Sequence, residues 1–197
     1  MLLLIKVDLS IRSDNMNIID LLINEHKYVS RMLVVIRKVC FNFIENNEID
    51  YEDFNKIISF VKNFADGHHH HKEEIFLFNR MVEHLGEAGK NAITHGMLVE
   101  HDLGRANMRN LINALENYKN GNKEAKLDII ANAIGYTTLL ENHIQKEDNV
   151  IFNFAKRGLS EELIETMNKE CFEYEQTHFD SIKEHIDNLI YLEEKYN

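Results

Sequence analysis

Proline is absent from all 197 residues of the chain, and glycine occurs only eight times. A proline inside a helix removes a backbone hydrogen bond and its ring clashes with the preceding turn, so a chain without proline can build long, uninterrupted helices. Residues of one face recur at alternating three- and four-residue spacing, as at Leu22, His26, Val29, Leu33 and Ile36. This period is typical of amphipathic helices. The sequence therefore predicts an all-α fold.

The periodic pattern divides the chain into five helical segments. Polar and glycine-containing stretches interrupt it, including a loop that is expected at 85–90. Asp50 and Ser160 stand where their side chains can cap the helices that follow. The helices are expected at 16–46, 51–84, 92–119, 123–157 and from 160 nearly to the C-terminus.

Long helices with short connections are typical of a bundle in which successive helices run in opposite directions. We expect residues 16–158 to form such an up-down-up-down four-helix bundle. Residues 159–197 are expected to add a C-terminal helix that packs on the bundle. Residues 1–15 are expected to form an N-terminal extension.

Charge and cysteine usage narrow the range of partners. The formal net charge is −11, which makes nucleic acid and anionic membrane surfaces unsuitable partners. No stretch of sequence approaches the length of a transmembrane helix. The two cysteines, Cys40 and Cys171, form no CxxC pair and fit reduced, buried residues. The expected location is therefore the cytoplasm.

The positions of the histidines carry the chemical information. Each of the first four predicted helices has a histidine, a residue type that commonly binds metals, in the middle of its apolar face. Spacing of i, i+4 places a histidine and a glutamate on one face, one turn apart. Two carboxylates that point into one core require positive charge between them. The candidate metal ligands are His26, His69 with Glu73, His101, and His143 with Glu147.

The second and fourth helices repeat each other. HHHKEEIFLF, which begins at His69, aligns with HIQKEDNVIF, which begins at His143, and lysine and glutamate fall in register. This register selects His69 and Glu73 over the adjacent His70 and Glu74. The apolar face agrees with the selection. Val61 and Ala65 share the face of His69, whereas Lys62 and Asp66 share the face of His70.

Four imidazoles and two carboxylates supply donors that suit iron or manganese and are acceptable to zinc. Six protein ligands spread over two metal ions leave open coordination positions. Such a site can bind oxygen, nitric oxide, peroxide or a bridging oxide. The sequence therefore predicts a metal site with room for a small ligand.

The order His, HxxxE, His, HxxxE resembles that of the hemerythrin-like cation-binding (HHE) family. The segments INEH, HHxKEE, GMLVEHDLGR and HIxKEDNVIF carry the resemblance, which covers about residues 16–157. It implies two iron ions bridged by an oxo or hydroxo group, with manganese or zinc as alternatives. It also implies that Glu73 and Glu147 bridge the irons and that the histidines are terminal ligands.

The third helix resembles that of bacterial hemerythrin-like and iron–sulfur-repair proteins, which use one histidine there. Oxygen carriers of the family place two histidines on this helix, but Met97 stands one turn before His101. The resemblance thus implies a protein that binds, senses or detoxifies oxygen, nitric oxide or peroxide. Catalytic reduction, iron storage and iron–sulfur cluster repair are the alternatives. An electron donor or an iron–sulfur protein is the implied protein partner.

Four further histidines lie outside this ligand set, and two of them, His70 and His178, leave alternatives open. His68, His70 and His71 are expected beside the site or at the surface, but His70 is a candidate ligand if the second helix is rotated. His178 shares a face of the fifth helix with Cys171 and is a candidate fifth imidazole.

Overall fold

The computed structural model describes residues 17–197, which form five helical rods and no β-strand. The predicted all-α fold is confirmed. The predicted N-terminal extension, residues 1–15, lies outside the described residues. Within the described chain, no helix combines the length and the apolar character that a bilayer span requires. The rods are α1 (Ile18–Asn46), α2 (51–84), α3 (86–119), α4 (125–158) and α5 (Glu161–Lys195).

Side-chain caps set the start of several helices. The Asp50 carboxylate accepts hydrogen bonds from the backbone N–H groups of Glu52 and Asp53, and so caps α2. The Ser160 hydroxyl accepts from the backbone N–H of Leu163 and caps α5. Each cap satisfies N–H groups that have no partner within the helix. Both predicted caps are confirmed.

The connection between α2 and α3 is shorter than the sequence predicts. The predicted loop at 85–90 is wrong, because α3 begins at Gly86 and only Leu85 lies outside the two helices. Gly86 has a φ of +61°, a conformation that lets the chain turn at one residue. Gly89 then allows close packing, since a Cβ there would lie 2.5 Å from the backbone oxygen of Met81.

Three rods contain segments of π-helix, in which hydrogen bonds run from i to i+5 and each turn holds an additional residue. π-Helical segments are rare in proteins overall, but those that occur often lie at functional sites. Those in α2 and α4 carry or adjoin the candidate ligands. The π-helical segments are Phe60–His70 and Glu73–Phe78 in α2, Ile93–Met97 in α3, and Glu147–Ile151 in α4.

The first four helices enclose a common core. α1 packs against α2 and α4, and α3 packs against α2 and α4, while α5 lies against α1 and α2. The core consists of two hydrophobic clusters. One includes Phe43, Phe54 and Phe64, and the other includes Phe78 and Phe152. Along each of the first four helices, the candidate ligands lie between these two clusters.

The two cysteines are distributed between the clusters. Cys40 lies in the first and Cys171 in the second, and both are buried free thiols. Burial raises the pKa of each thiol to about 12. The prediction that both are buried and unpaired is confirmed.

Candidate metal centre

The six residues predicted as ligands lie together between the two hydrophobic clusters, where they form a polar layer across the core. Each is almost fully buried. They belong to two groups of donors that share Glu73, and within each group one donor atom per residue lies within 4.8 Å of the others. The groups are His26, His69, Glu73 and Glu147, and His70, Glu73, His101 and His143.

The two glutamates lie between the groups and face both. Glu73 places Oε1 3.4 Å from His69 Nε2 and Oε2 3.6 Å from His101 Nε2. Glu147 places Oε2 3.3 Å from His26 Nε2 and Oε1 3.1 Å from His143 Nε2. Each carboxylate therefore has one oxygen directed to each group, as a bridging ligand requires.

None of the four carboxylate oxygens of Glu73 and Glu147 has a hydrogen-bond partner among residues 17–197. The Nε2 atom of His26 also lacks one among these residues. Buried polar atoms in native proteins nearly always have partners, and an isolated buried carboxylate is costly. This donor set therefore fits a metal cation, which would compensate both carboxylates.

The electrostatics of the site point the same way. Burial opposes protonation of His26, but the hydrogen bond to Asp148 and the nearby negative charge of Glu147 raise its pKa to about 10. Burial likewise opposes protonation of His101, but Glu147 and Glu74 raise its pKa to about 9. Both raised pKa values reflect the negative charge of the buried carboxylates, which a bound cation would compensate in place of protons.

Four more acidic residues, which we call the outer carboxylates, bind the histidines on the side that faces away from the centre. Each accepts a hydrogen bond from the Nδ1 atom of a candidate ligand on a neighbouring helix. This directs Nε2 of each histidine toward the centre, the arrangement that orients metal-binding histidines in proteins. The pairs are Asp148 with His26 (2.8 Å), Glu25 with His69 (2.9 Å), Glu74 with His101 (2.7 Å) and Glu100 with His143 (2.9 Å).

Cations in turn hold three of the outer carboxylates. Lys72 pairs with Glu25, and Lys146 pairs with Glu100. Arg105 lies 2.6 Å from Glu74. Two of these cations, Lys72 and Lys146, are the lysines that fall in register in the sequence repeat.

The sequence reasoning missed the outer carboxylates, although a signal is present. Each of them is adjacent in sequence to a candidate ligand, in the pairs Glu25–His26, Glu73–Glu74, Glu100–His101 and Glu147–Asp148. An acid that follows or precedes a ligand lies on a different helix face, so its partner must come from the next helix.

The structure separates the two histidines that the sequence left open. His70 lies in the second donor group, with its ring stacked on that of His101 at 3.8 Å between centroids. Burial and the neighbouring His101 lower its pKa to about 3. His178 belongs to neither group, and its ring stacks on Tyr174 with centroids 4.0 Å apart.

A third group of potential metal donors already contains a positively charged side chain. Glu25, His68 and Glu175 come together beside the centre. The fully buried ammonium of Lys72 lies among them, 2.8 Å from His68 Nε2 and 2.5 Å from Glu175 Oε1. Because lysine occupies this position, the group is a buried ion-pair network.

A mostly apolar cleft of about 280 Å³ reaches the centre between α2, α3 and α4. His70 and His101 form the polar part of its lining next to the centre. Arg105 lies at its side, where it pairs with Asp66 at 2.8 Å. The remaining walls include Val61, Gly104, Met108 and Tyr136.

Comparison with known proteins agrees with this geometry. The family model described as the hemerythrin HHE cation-binding domain matches residues 17–155. The chain therefore belongs to the hemerythrin HHE cation-binding domain family. No curated protein and no solved structure matches the chain in these comparisons.

Proposed function

We propose that the chain holds two metal ions, iron in preference to manganese or zinc, between its first four helices. One observation carries the proposal. Four buried carboxylate oxygens, which have no hydrogen-bond partner within the described residues 17–197, face two separate sets of imidazoles. Nitrogen and oxygen donors of this kind suit iron, and iron supplies redox chemistry at such a centre. The proposed ligands are His26, His69, Glu73, His101, His143 and Glu147.

The proposed ligand of the centre is oxygen, nitric oxide or peroxide, which the protein binds, senses or detoxifies. The near-complete burial of the donors supports a small ligand. The apolar cleft beside His70 and His101 also supports one, because little polar surface is available to bind a larger polar substrate. An electron donor or an iron–sulfur protein is the proposed macromolecular partner.

The short connections between α1, α2, α3 and α4 further support the alternating helix directions that the sequence predicts.

The chain's own residues have two tasks in this proposal. The hydrophobic clusters on either side of the polar layer exclude water from the centre. The outer carboxylates hold each Nδ1 proton, so that Nε2 is directed inward.

Metal analysis of anaerobically purified protein, combined with ultraviolet–visible spectra before and after exposure to air, tests the proposal. We expect two irons per chain and an absorption band from an oxygen-bridged pair after exposure. Full occupancy by a single zinc would contradict it. Addition of nitric oxide or peroxide with an electron donor would then separate turnover from stoichiometric binding.

The same sample distinguishes a role in iron storage or cluster repair. Incubation with an apo iron–sulfur protein measures how much iron leaves the chain. Because the proposed ligands are buried, we expect negligible transfer. Efficient transfer would favour storage or repair over a small-ligand centre.

A further inference from the structure

We propose that His70 is a fifth imidazole donor of the centre. One metal position would then have three histidines, His70, His101 and His143, and the other would have two, His26 and His69. The inference rests on the proposed function, because it assigns a further ligand to the same pair of metal positions.

The position of His70 in the core supports this assignment. One donor atom each from His70, Glu73, His101 and His143 lies within a common 4.8 Å. His70 is only 5% exposed, and its ring is stacked on His101 with 10° between the planes. It is also in edge contact with His143, at 5.8 Å between centroids. His70 therefore meets the same shared carboxylate, Glu73, as the two predicted ligands beside it.

The hydrogen bonding of His70 also resembles that of the predicted ligands. Its Nδ1 atom lies 3.4 Å from Asp66 Oδ1, and Arg105 Nε donates to the same oxygen at 2.8 Å. A carboxylate behind Nδ1 is what the other four histidines of the centre also have. The hydrogen bond to Asp66 leaves Nε2 as the nitrogen available to a metal ion.

Helix geometry explains how adjacent histidines reach one centre. In an α-helix, successive side chains diverge by about 100°, so His69 and His70 would face different neighbours. Both belong to the π-helical segment Phe60–His70, where an additional residue per turn reduces this divergence. Two consecutive imidazoles can therefore lie on the inner face of α2, one in each donor group.

The test loads the wild-type protein with Co²⁺ alone and counts exchangeable histidine N–H signals by proton NMR. A histidine that binds through Nε2 keeps its proton on Nδ1, and paramagnetic cobalt shifts that signal far outside the normal range. We expect five shifted signals from protein that carries two Co²⁺ per chain. A count of four would overturn the proposal.

Two variants identify the fifth signal. His70→Phe keeps an aromatic ring beside His101 but removes the nitrogen donor. His71→Ala is the matched control, because His71 is adjacent in sequence and exposed. We expect His70→Phe to lose one signal and to bind one of its two Co²⁺ at least about 10-fold more weakly. The control should keep five signals and both affinities.

Other outcomes are equally decisive. If His70→Phe binds both Co²⁺ with wild-type affinity, His70 serves only to pack against His101 and the proposal is overturned. If the variant does not fold, the count from the wild-type protein still decides. Wild-type protein that takes up neither Co²⁺ nor iron contradicts the proposed function itself. Wild-type protein with two Co²⁺ and four signals contradicts only the role of His70.

Discussion

At the scale of single residues, the candidate centre consists of inner donors and the outer carboxylates that orient them. Glu147, an inner residue, is fully buried and has no hydrogen-bond donor for either oxygen among residues 17–197. Glu74, an outer carboxylate, shares its Oε1 between His101 and Arg105. Replacing one or the other should therefore have different consequences.

Glu147→Gln is expected to remove most metal binding. The amide is nearly the same size as the carboxylate but has no negative charge and can offer only one oxygen, so it cannot serve both donor groups. We expect the affinity for metal to fall by about 100-fold or more. Glu141→Gln is the matched control, since Glu141 is an exposed residue of the same helix. Elemental analysis of both proteins gives the comparison, and equal metal content would argue against the bridging role.

Glu74→Gln should weaken metal binding without abolishing it. The amide can still accept a hydrogen bond from His101 Nδ1, but it no longer pairs with the Arg105 guanidinium. Loss of such an orienting partner typically lowers metal affinity by about 10- to 100-fold. Competition with a chelator measures the change. Glu83→Gln, at an exposed position of the same helix, should leave affinity unaltered.

At the scale of helices, α5 is tied to the centre through one buried lysine. Lys72 of α2 contacts Glu25 of α1 and Glu175 of α5, and Glu25 in turn holds His69. The pKa of Glu25 stays well below its usual range, because Lys72 and the adjacent histidines outweigh the effect of burial. The C-terminal helix therefore helps to fix His69 through Lys72 and Glu25.

Lys72→Met is expected to destabilise the protein. The methionine fills similar space, but it leaves two acidic side chains that are largely buried without their cation. Removing one member of a buried ion pair typically costs about 3–5 kcal/mol. Urea unfolding of the metal-free protein measures the loss. Lys169→Met, at an exposed position of α5, should change the free energy of unfolding by less than about 0.5 kcal/mol.

At the scale of the whole molecule, protons and metal compete for the centre. In the metal-free protein the pKa of His26 is raised to about 10 and that of His101 to about 9. A histidine whose pKa is higher in the folded state binds its proton more tightly there, so it contributes stability below its unfolded pKa. That stability is lost as the pH rises through the folded pKa.

The metal-free protein should therefore become less stable between about pH 6.5, the unfolded histidine value, and pH 10. The metal-loaded protein should not lose stability in this way, because a cation replaces the protons. Its stability should instead fall below about pH 6.5, where histidines of the unfolded chain bind protons. Urea unfolding of both forms across this range provides the measurement. Parallel pH profiles for the two forms would contradict proton–metal competition.

Much of the architecture follows from sequence periodicity alone. The absence of proline and the spacing of apolar residues predicted the all-α fold, and Asp50 and Ser160 predicted two helix starts. The start of α3 was predicted too late. Glycines indicated a loop there, whereas Gly86 makes the turn by itself and Gly89 packs closely on the preceding helix.

The sequence by itself determined which residues could carry the chemistry. The HxxxE repeat selected His69 with Glu73 and His143 with Glu147, because i, i+4 spacing fixes a shared helix face. Only the tertiary structure decided how the donors divide into two groups and which acids orient them. It also placed His70 beside His101, because π-helical turns change which residues share a face. The outer carboxylates act between helices, and spacing along one helix carries no information about contacts across the bundle.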